Sequence, residues 1–284
     1  MAAKNQIRVN RKENCNVQKD QYCCGGQDTL EAQRLFANRT RWELVATERD
    51  MYENMDTESY DYIVTLRDSK SRYYSHYHHL KSFIPVGPGT QTGGFGDSAW
   101  IFGNNTILPC NETKRKIPAG QDPLGSFYQW SSGQPDNWNT RILCGRKCRW
   151  SAQLQITRDL FEYTLQRLTK FAHVLFVEDL QESFNRFATA YRWKNLTASA
   201  MNNKVNPRKT QVNESVELLD DLPWNPLLSA LDDALYEFAQ RKYQMWNQTD
   251  LWTTFSNQEA LERYFEDGPK RGCADACCGK CTAY

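Results

Sequence analysis

Nowhere do these 284 residues run to 18 apolar residues in succession, so no segment reads as a membrane-spanning helix. The opening residues, MAAKNQIRVNRKEN, contain no apolar stretch of the kind a secretory signal needs. Net charge is nearly absent too. Thirty-five basic residues stand against 34 acidic ones, a formal balance of +1. That excludes a global basic field for nucleic acid and an acidic solvating tail, so any anion site must be local. No internal repeat is visible.

What is present is enough for a core. Forty per cent of the residues are hydrophobic, and the length suits one large domain or two small ones. Ten cysteines form an even set: Cys15, Cys23, Cys24, Cys110, Cys144, Cys148, Cys273, Cys277, Cys278 and Cys281. Six Asn-x-Ser/Thr acceptors accompany them, at Asn38, Asn104, Asn111, Asn195, Asn213 and Asn247. Chance would give about 2.5. Together they point to disulfides and glycans in an oxidising secretory lumen. The competing reading is a cytosolic protein with chance acceptors, in which CGRKC (144–148) and CADACCGKC (273–281) supply thiolates to zinc.

Three segments follow from the pattern of residues. Residues 1–40 are polar, contain three cysteines and show no period. Residues 41–265 alternate strand and helix signals, with a loop-rich insertion at 84–135 marked by PVGPGTQTGGFGDS and SSGQPDN. A cysteine-rich tail occupies 266–284. Within the middle segment, WELVAT (42–47) and YDYIVTL (60–66) read as strands. Residues 69–83 read as a helix with Ser69 as N-cap. Tyr73, Tyr77 and Leu80 gather on one face, and Ser71, Ser75, His78 and Ser82 on the other. Leu154, Ile156, Leu160, Phe161, Leu165 and Leu168 recur at helical spacing. HVLFVEDL (173–180) is an apolar run closed by acids, which suits a strand buried on both faces. QESFNRFATAYRW follows as a helix, and residues 226–246 give the longest helical pattern, with Pro226 in its first turn. A short helix is expected at 259–265. Such alternation predicts an α/β fold with a mostly parallel sheet flanked by helices.

DYIVTLRDSKSRYYSHY (61–77) contains the chemistry. In open α/β sheets, ligands bind beyond the carboxyl ends of the strands. Strand 60–66 delivers Arg67 to that edge. The helix just after it aims backbone N–H groups and its positive end back at the same place. A guanidinium fork suits phosphate oxygens. Ser75 lies eight residues on and would add one donor. The alternative is a strand-ending arginine paired with a carboxylate such as Asp68, with Ser75 merely solvated. Trp130 and Trp138 flank SSGQPDN, where they would stack on sugar rings or simply pack.

TLRDSKSRYYSHY resembles the element that grips the 3′-phosphate of 3′-phosphoadenosine 5′-phosphosulfate in the Golgi-type carbohydrate sulfotransferases. WELVATERD, DNWNTRILCG (136–145) and HVLFVEDLQESF, followed later by LDDALYEFAQ, resemble further segments of that family in the same order. The resemblance covers about residues 40–246. It implies a P-loop-like sulfotransferase fold, a Golgi-luminal location, 3′-phosphoadenosine 5′-phosphosulfate as co-substrate without a metal, and a polysaccharide or glycoprotein glycan as acceptor. It places Arg67 and Ser75 on the 3′-phosphate and Ser69 where the family has proline.

The family's N-terminal Lys-[Thr/Ser]-Gly/Ala-x-[Ser/Thr] loop, which holds the 5′-phosphosulfate, has no match. Before Arg67 the lysines are Lys4, Lys12 and Lys19, and the glycines are Gly25 and Gly26. The resemblance therefore implies a sequence with its N-terminal part incomplete, or an inactive paralogue. A base must reach the attacking hydroxyl. The family places it upstream of Arg67, where Glu48 fits better than Glu43. His76, His78 and His79 read as packing or phosphate-edge residues. Arg141 is open to three partners: cofactor, acidic glycan or a nearby carboxylate. Besides the enzyme, a non-catalytic luminal glycan-binding or structural domain on the same scaffold satisfies these residues.

Overall fold

The computed structural model describes residues 51, 54–81, 127–132, 136–148, 155–193, 219, 221–244 and 254–268. The WELVAT strand and Glu48 lie outside these residues. So do all six glycan acceptors, eight of the ten cysteines and most of the 84–135 insertion.

Two parallel strands organise the described residues: β1, Ile63–Leu66, and β2, His173–Phe176, with Ile63 opposite His173 and Leu66 opposite Phe176. The ladder continues past the last pair, where Val177 N–H donates to the Leu66 carbonyl at 3.0 Å. The period of two sorts the side chains of β2. Val174 and Phe176 enter the main core with Leu66, and Leu175 enters a smaller cluster with Phe184 and Phe187. Both faces of β2 are therefore covered, which its unbroken apolar run predicts. The architecture is mixed α/β, and helices dominate the described residues.

Helix α1, Ser69–Lys81, starts two residues after β1 ends. Asp68, not Ser69, caps it. The Asp68 carboxylate accepts from Ser71 N–H at 2.8 Å, and its carbonyl from Arg72 N–H at 2.9 Å. A carboxylate is the stronger partner for a helix start, and here it precedes the serine by one residue. Tyr73 and Tyr77 are buried while Ser75 is exposed, as the two-faced pattern requires.

A short helix, α2, Phe127–Ser132, stands inside the stretch that composition marks as loop. Phe127 explains it: the ring stacks on Trp224 with centroids 5.8 Å apart and meets Tyr74 and Tyr77 edge-on at 5.6 Å. Helix α3, Trp138–Cys144, runs into a 3₁₀ turn, Gly145–Cys148, and a disulfide joins Cys144 to Cys148. Gly145 has φ 78°, and a Cβ there would lie 2.4 Å from the Met51 carbonyl, so the turn needs glycine.

Helix α4, Arg158–Leu168, is capped by the Thr157 hydroxyl and buries Phe161, Leu165 and Leu168. Helix α5, Leu180–Ala190, follows β2. The long 226–246 pattern divides. Pro226–Leu228 form a 3₁₀ turn capped by Asn225, and α6, Ala230–Gln244, begins after Ser229. Its residues Ala230, Leu231, Ala234, Leu235, Phe238 and Ala239 are the most completely buried run in the core. Helix α7, Gln258–Asp267, closes the described part, with Leu261 and Tyr264 inside.

Candidate functional site

The carboxyl ends of β1 and β2 meet the start of α1 and one side of α6. Arg67 emerges there half-exposed, with 35% of its side chain accessible. Its Nε is buried and has no hydrogen-bond partner among the described residues. Burial lowers the guanidinium's pKa, opposed by the nearby charges of Glu178 and Asp68.

Glu178, two residues past β2, occupies the same corner. One carboxylate oxygen accepts the Asp68 backbone N–H at 3.1 Å and lies 3.9 Å from Arg67 Nε. The other accepts the Tyr236 hydroxyl of α6 at 2.7 Å. Burial and the Glu178 carboxylate together hold the Tyr236 phenol well above its usual range. The carboxylate beside Arg67 is thus Glu178, brought from 111 positions away by strand pairing. Asp68, the neighbour in sequence, turns to cap α1.

Ser75 is exposed on α1, six residues after the first helical residue, or about 9 Å along the axis. Among the described residues, the contacts of Arg67 lead to Glu178 and not to Ser75. Behind the edge, Arg72 extends from α1 toward α3 and α6. Its guanidinium lies 4.3 Å from the Tyr73 ring centroid and 5.4 Å from that of Trp138, and Nη2 is 3.8 Å from the Asp232 carboxylate. His76 meets Trp138 edge-on, and His78 lies against Tyr74 and Tyr77. Two histidines of the cluster are therefore in aromatic packing contacts.

Arg141 is not at this edge. It is buried, with Nη2 2.7 Å from Asp136 Oδ1. Nε donates to the Asp136 carbonyl at 3.0 Å and Nη1 to the Cys148 carbonyl at 2.9 Å. Of its three readings from sequence, the structure shows the pair with a nearby carboxylate. Asp136 is completed by Tyr264 O–H at 2.6 Å and Asn137 Nδ2 at 3.0 Å.

Sequence reasoning missed Glu178 and Tyr236. The acids closing HVLFVEDL were the available signal for Glu178, because a residue just past one parallel strand lies beside the residue just past its neighbour. Nothing local in the sequence marks Tyr236. Its role depends on where α6 packs.

Arg67, Glu178, the Asp68 N–H and Tyr236 form a corner that holds one anion between a guanidinium, an amide and a phenol. Compared with family models, curated proteins and solved structures, the chain matches none of them.

Proposed function

We propose that this chain is a luminal carbohydrate O-sulfotransferase of the Golgi type, built on a P-loop-like sulfotransferase fold, with Arg67 and Ser75 on the 3′-phosphate of 3′-phosphoadenosine 5′-phosphosulfate. The observation that carries this reading is the buried Arg67 Nε, without a hydrogen-bond partner among the described residues, at the carboxyl end of a parallel strand and two residues before a helix N-terminus. A phosphate oxygen would supply that missing acceptor. Ser75, on the exposed face of α1, is free of the core and within the same helix. The acceptor is a hydroxyl of a polysaccharide or glycoprotein glycan. Its oxygen would attack sulfur in line, the sulfur–bridging oxygen bond would break, and 3′-phosphoadenosine 5′-phosphate would leave. A base would take the hydroxyl proton, with Glu48 assigned on the resemblance alone. No residue of this chain is assigned to the 5′-phosphosulfate, and Arg141 is left out because its donors are used in the core.

Calorimetric titration with 3′-phosphoadenosine 5′-phosphate tests the site. Arg67→Ala is expected to weaken binding by about 1.5–3 kcal/mol, the range for hydrogen bonds to charged groups. An unchanged affinity overturns the assignment. A second reading, a non-catalytic glycan-binding or structural domain on this scaffold, is favoured by Glu178, which already supplies the corner with an anion. Nucleotide binding with no sulfate transfer to any glycan supports that reading, and transfer excludes it.

A further inference from the structure

Glu178 stands where an incoming phosphate would have to stand. Its carboxylate takes the backbone N–H that precedes α1, lies nearest the Arg67 guanidinium and receives the Tyr236 hydroxyl. Those are the kinds of donor that also serve a phosphate. The contact with Arg67 is loose: 3.9 Å is an ion-pair distance, and among the described residues Nε has no hydrogen bond. The side chain is 38% accessible and lies at the surface, so it has room to leave. A carboxylate and a phosphate dianion a few ångströms apart repel, so they do not share one guanidinium at low cost.

We propose that Glu178 is an internal competitor for the phosphate corner, a carboxylate that must be displaced before a phosphorylated ligand can engage Arg67, and that it sets the affinity of that corner. This inference rests on the reading of the corner as a 3′-phosphate site. Tyr236 is the tether. Its phenol holds the outer oxygen of Glu178 and anchors the competitor to α6, where the ring packs edge-on against Phe176 at 5.3 Å.

The test uses the full chain and two nucleotides, 3′-phosphoadenosine 5′-phosphate and adenosine 5′-phosphate, which lacks the 3′-phosphate. Glu178→Gln keeps the size and one acceptor while removing the charge. Glu178→Ala removes both. Either variant is expected to bind the 3′-phosphorylated nucleotide about tenfold more tightly than the unaltered chain. Affinity for adenosine 5′-phosphate should change by less than about twofold, because only the 3′-phosphate meets Glu178. If one variant fails to fold by its thermal transition, the other decides. Equal or weaker binding of the 3′-phosphorylated nucleotide by the folded variants overturns the competitor role and leaves the phosphate site standing. Equal tightening for both nucleotides also overturns it, because the effect would then be a general loss of negative charge. If neither the unaltered chain nor any folded variant binds either nucleotide, the phosphate reading itself fails, and the competitor falls with it.

Discussion

Arg67 and Arg141 are the same residue type, and the sequence offers both to one ligand. Their surroundings separate them. Arg141 is 3% exposed and each of its donor groups meets an oxygen of Asp136 or Cys148, so it behaves as an internal brace. Arg141→Met is expected to destabilise the fold by about 3–5 kcal/mol, because it leaves the Asp136 carboxylate buried without its cation. Denaturant titration measures this, and a loss under about 1 kcal/mol would show that the pair is dispensable. Asp233, in the first turn of α6, makes the opposite case. Its carboxyl accepts from the Ser229 hydroxyl at 2.7 Å, yet burial pushes its pKa up to about 6. The folded state then holds the proton more tightly than the unfolded chain does. The stability this contributes is complete below the unfolded pKa near 4, and is lost as pH rises through about 6. Asp233→Asn, which cannot ionise, should therefore be more stable than the unaltered chain at pH 7.5, by at most about 3 kcal/mol. The advantage should vanish near pH 4. Melting curves across that interval check it, and a variant that is less stable at pH 7.5 contradicts the burial argument.

At the scale of elements, α3 and α6 hold each other's N-termini. Asn137 immediately precedes α3, but its side-chain oxygen accepts the Leu231 and Asp232 N–H groups at the start of α6, at 2.8 and 3.2 Å. Asp232, in the first turn of α6, returns the exchange. Its carboxylate accepts the Asn139 and Thr140 N–H groups and the Thr140 hydroxyl, at 3.0, 2.7 and 2.8 Å. Four otherwise unpaired helix-start donors are satisfied across one interface. Asp232 is fully buried and its pKa is raised by that burial, opposed by Arg72 and these hydrogen bonds. Asn137 also adopts φ 47°, a left-handed backbone that asparagine tolerates better than most residues. Asn137→Ala loses the cap and strains the turn, so a cost of roughly 2–4 kcal/mol is expected. Asn137→Gly relieves the backbone alone and should recover about 1 kcal/mol of that loss. Chemical denaturation of the two variants separates the terms, and equal stabilities would remove the backbone contribution. This exchange also marks the limit of what the sequence discloses. β2, α4 and α5 are legible because a run or period of apolar residues announces each, and α6 is legible except for its break at Ser229. DNWNTR and LDDALYEFAQ each look like local motifs with chemistry of their own. Their function as partners depends on a contact across 95 residues that no local pattern encodes. α2 is hidden for the same reason, since its helix depends on Phe127 finding Trp224.

For the whole molecule, the cysteines decide between two chemistries. A zinc site drawing on CGRKC needs Cys144 and Cys148 as thiolates. The structure joins them as a disulfide instead, with both residues buried at the end of α3. The surrounding contacts reinforce that turn. Cys148 gives its carbonyl to Arg141 and Cys144 gives its carbonyl to Arg167 at 3.0 Å, so the backbone there is fixed by two buried cations. A cross-link closing so short a loop contributes about 2 kcal/mol in the chain-entropy description. Replacing both cysteines by serine should therefore lower the melting temperature by roughly 4–8 °C for a domain of this size. Dithiothreitol should reproduce the shift in the unaltered chain and leave the double variant unmoved at that site. Peptide mapping without reduction should recover residues 144 and 148 in one linked fragment. If both thiols alkylate freely in the unreduced protein and zinc copurifies in stoichiometric amount, the oxidised pair is wrong. The luminal setting proposed for the enzyme would then lose its cysteine argument and retain only the six glycan acceptors.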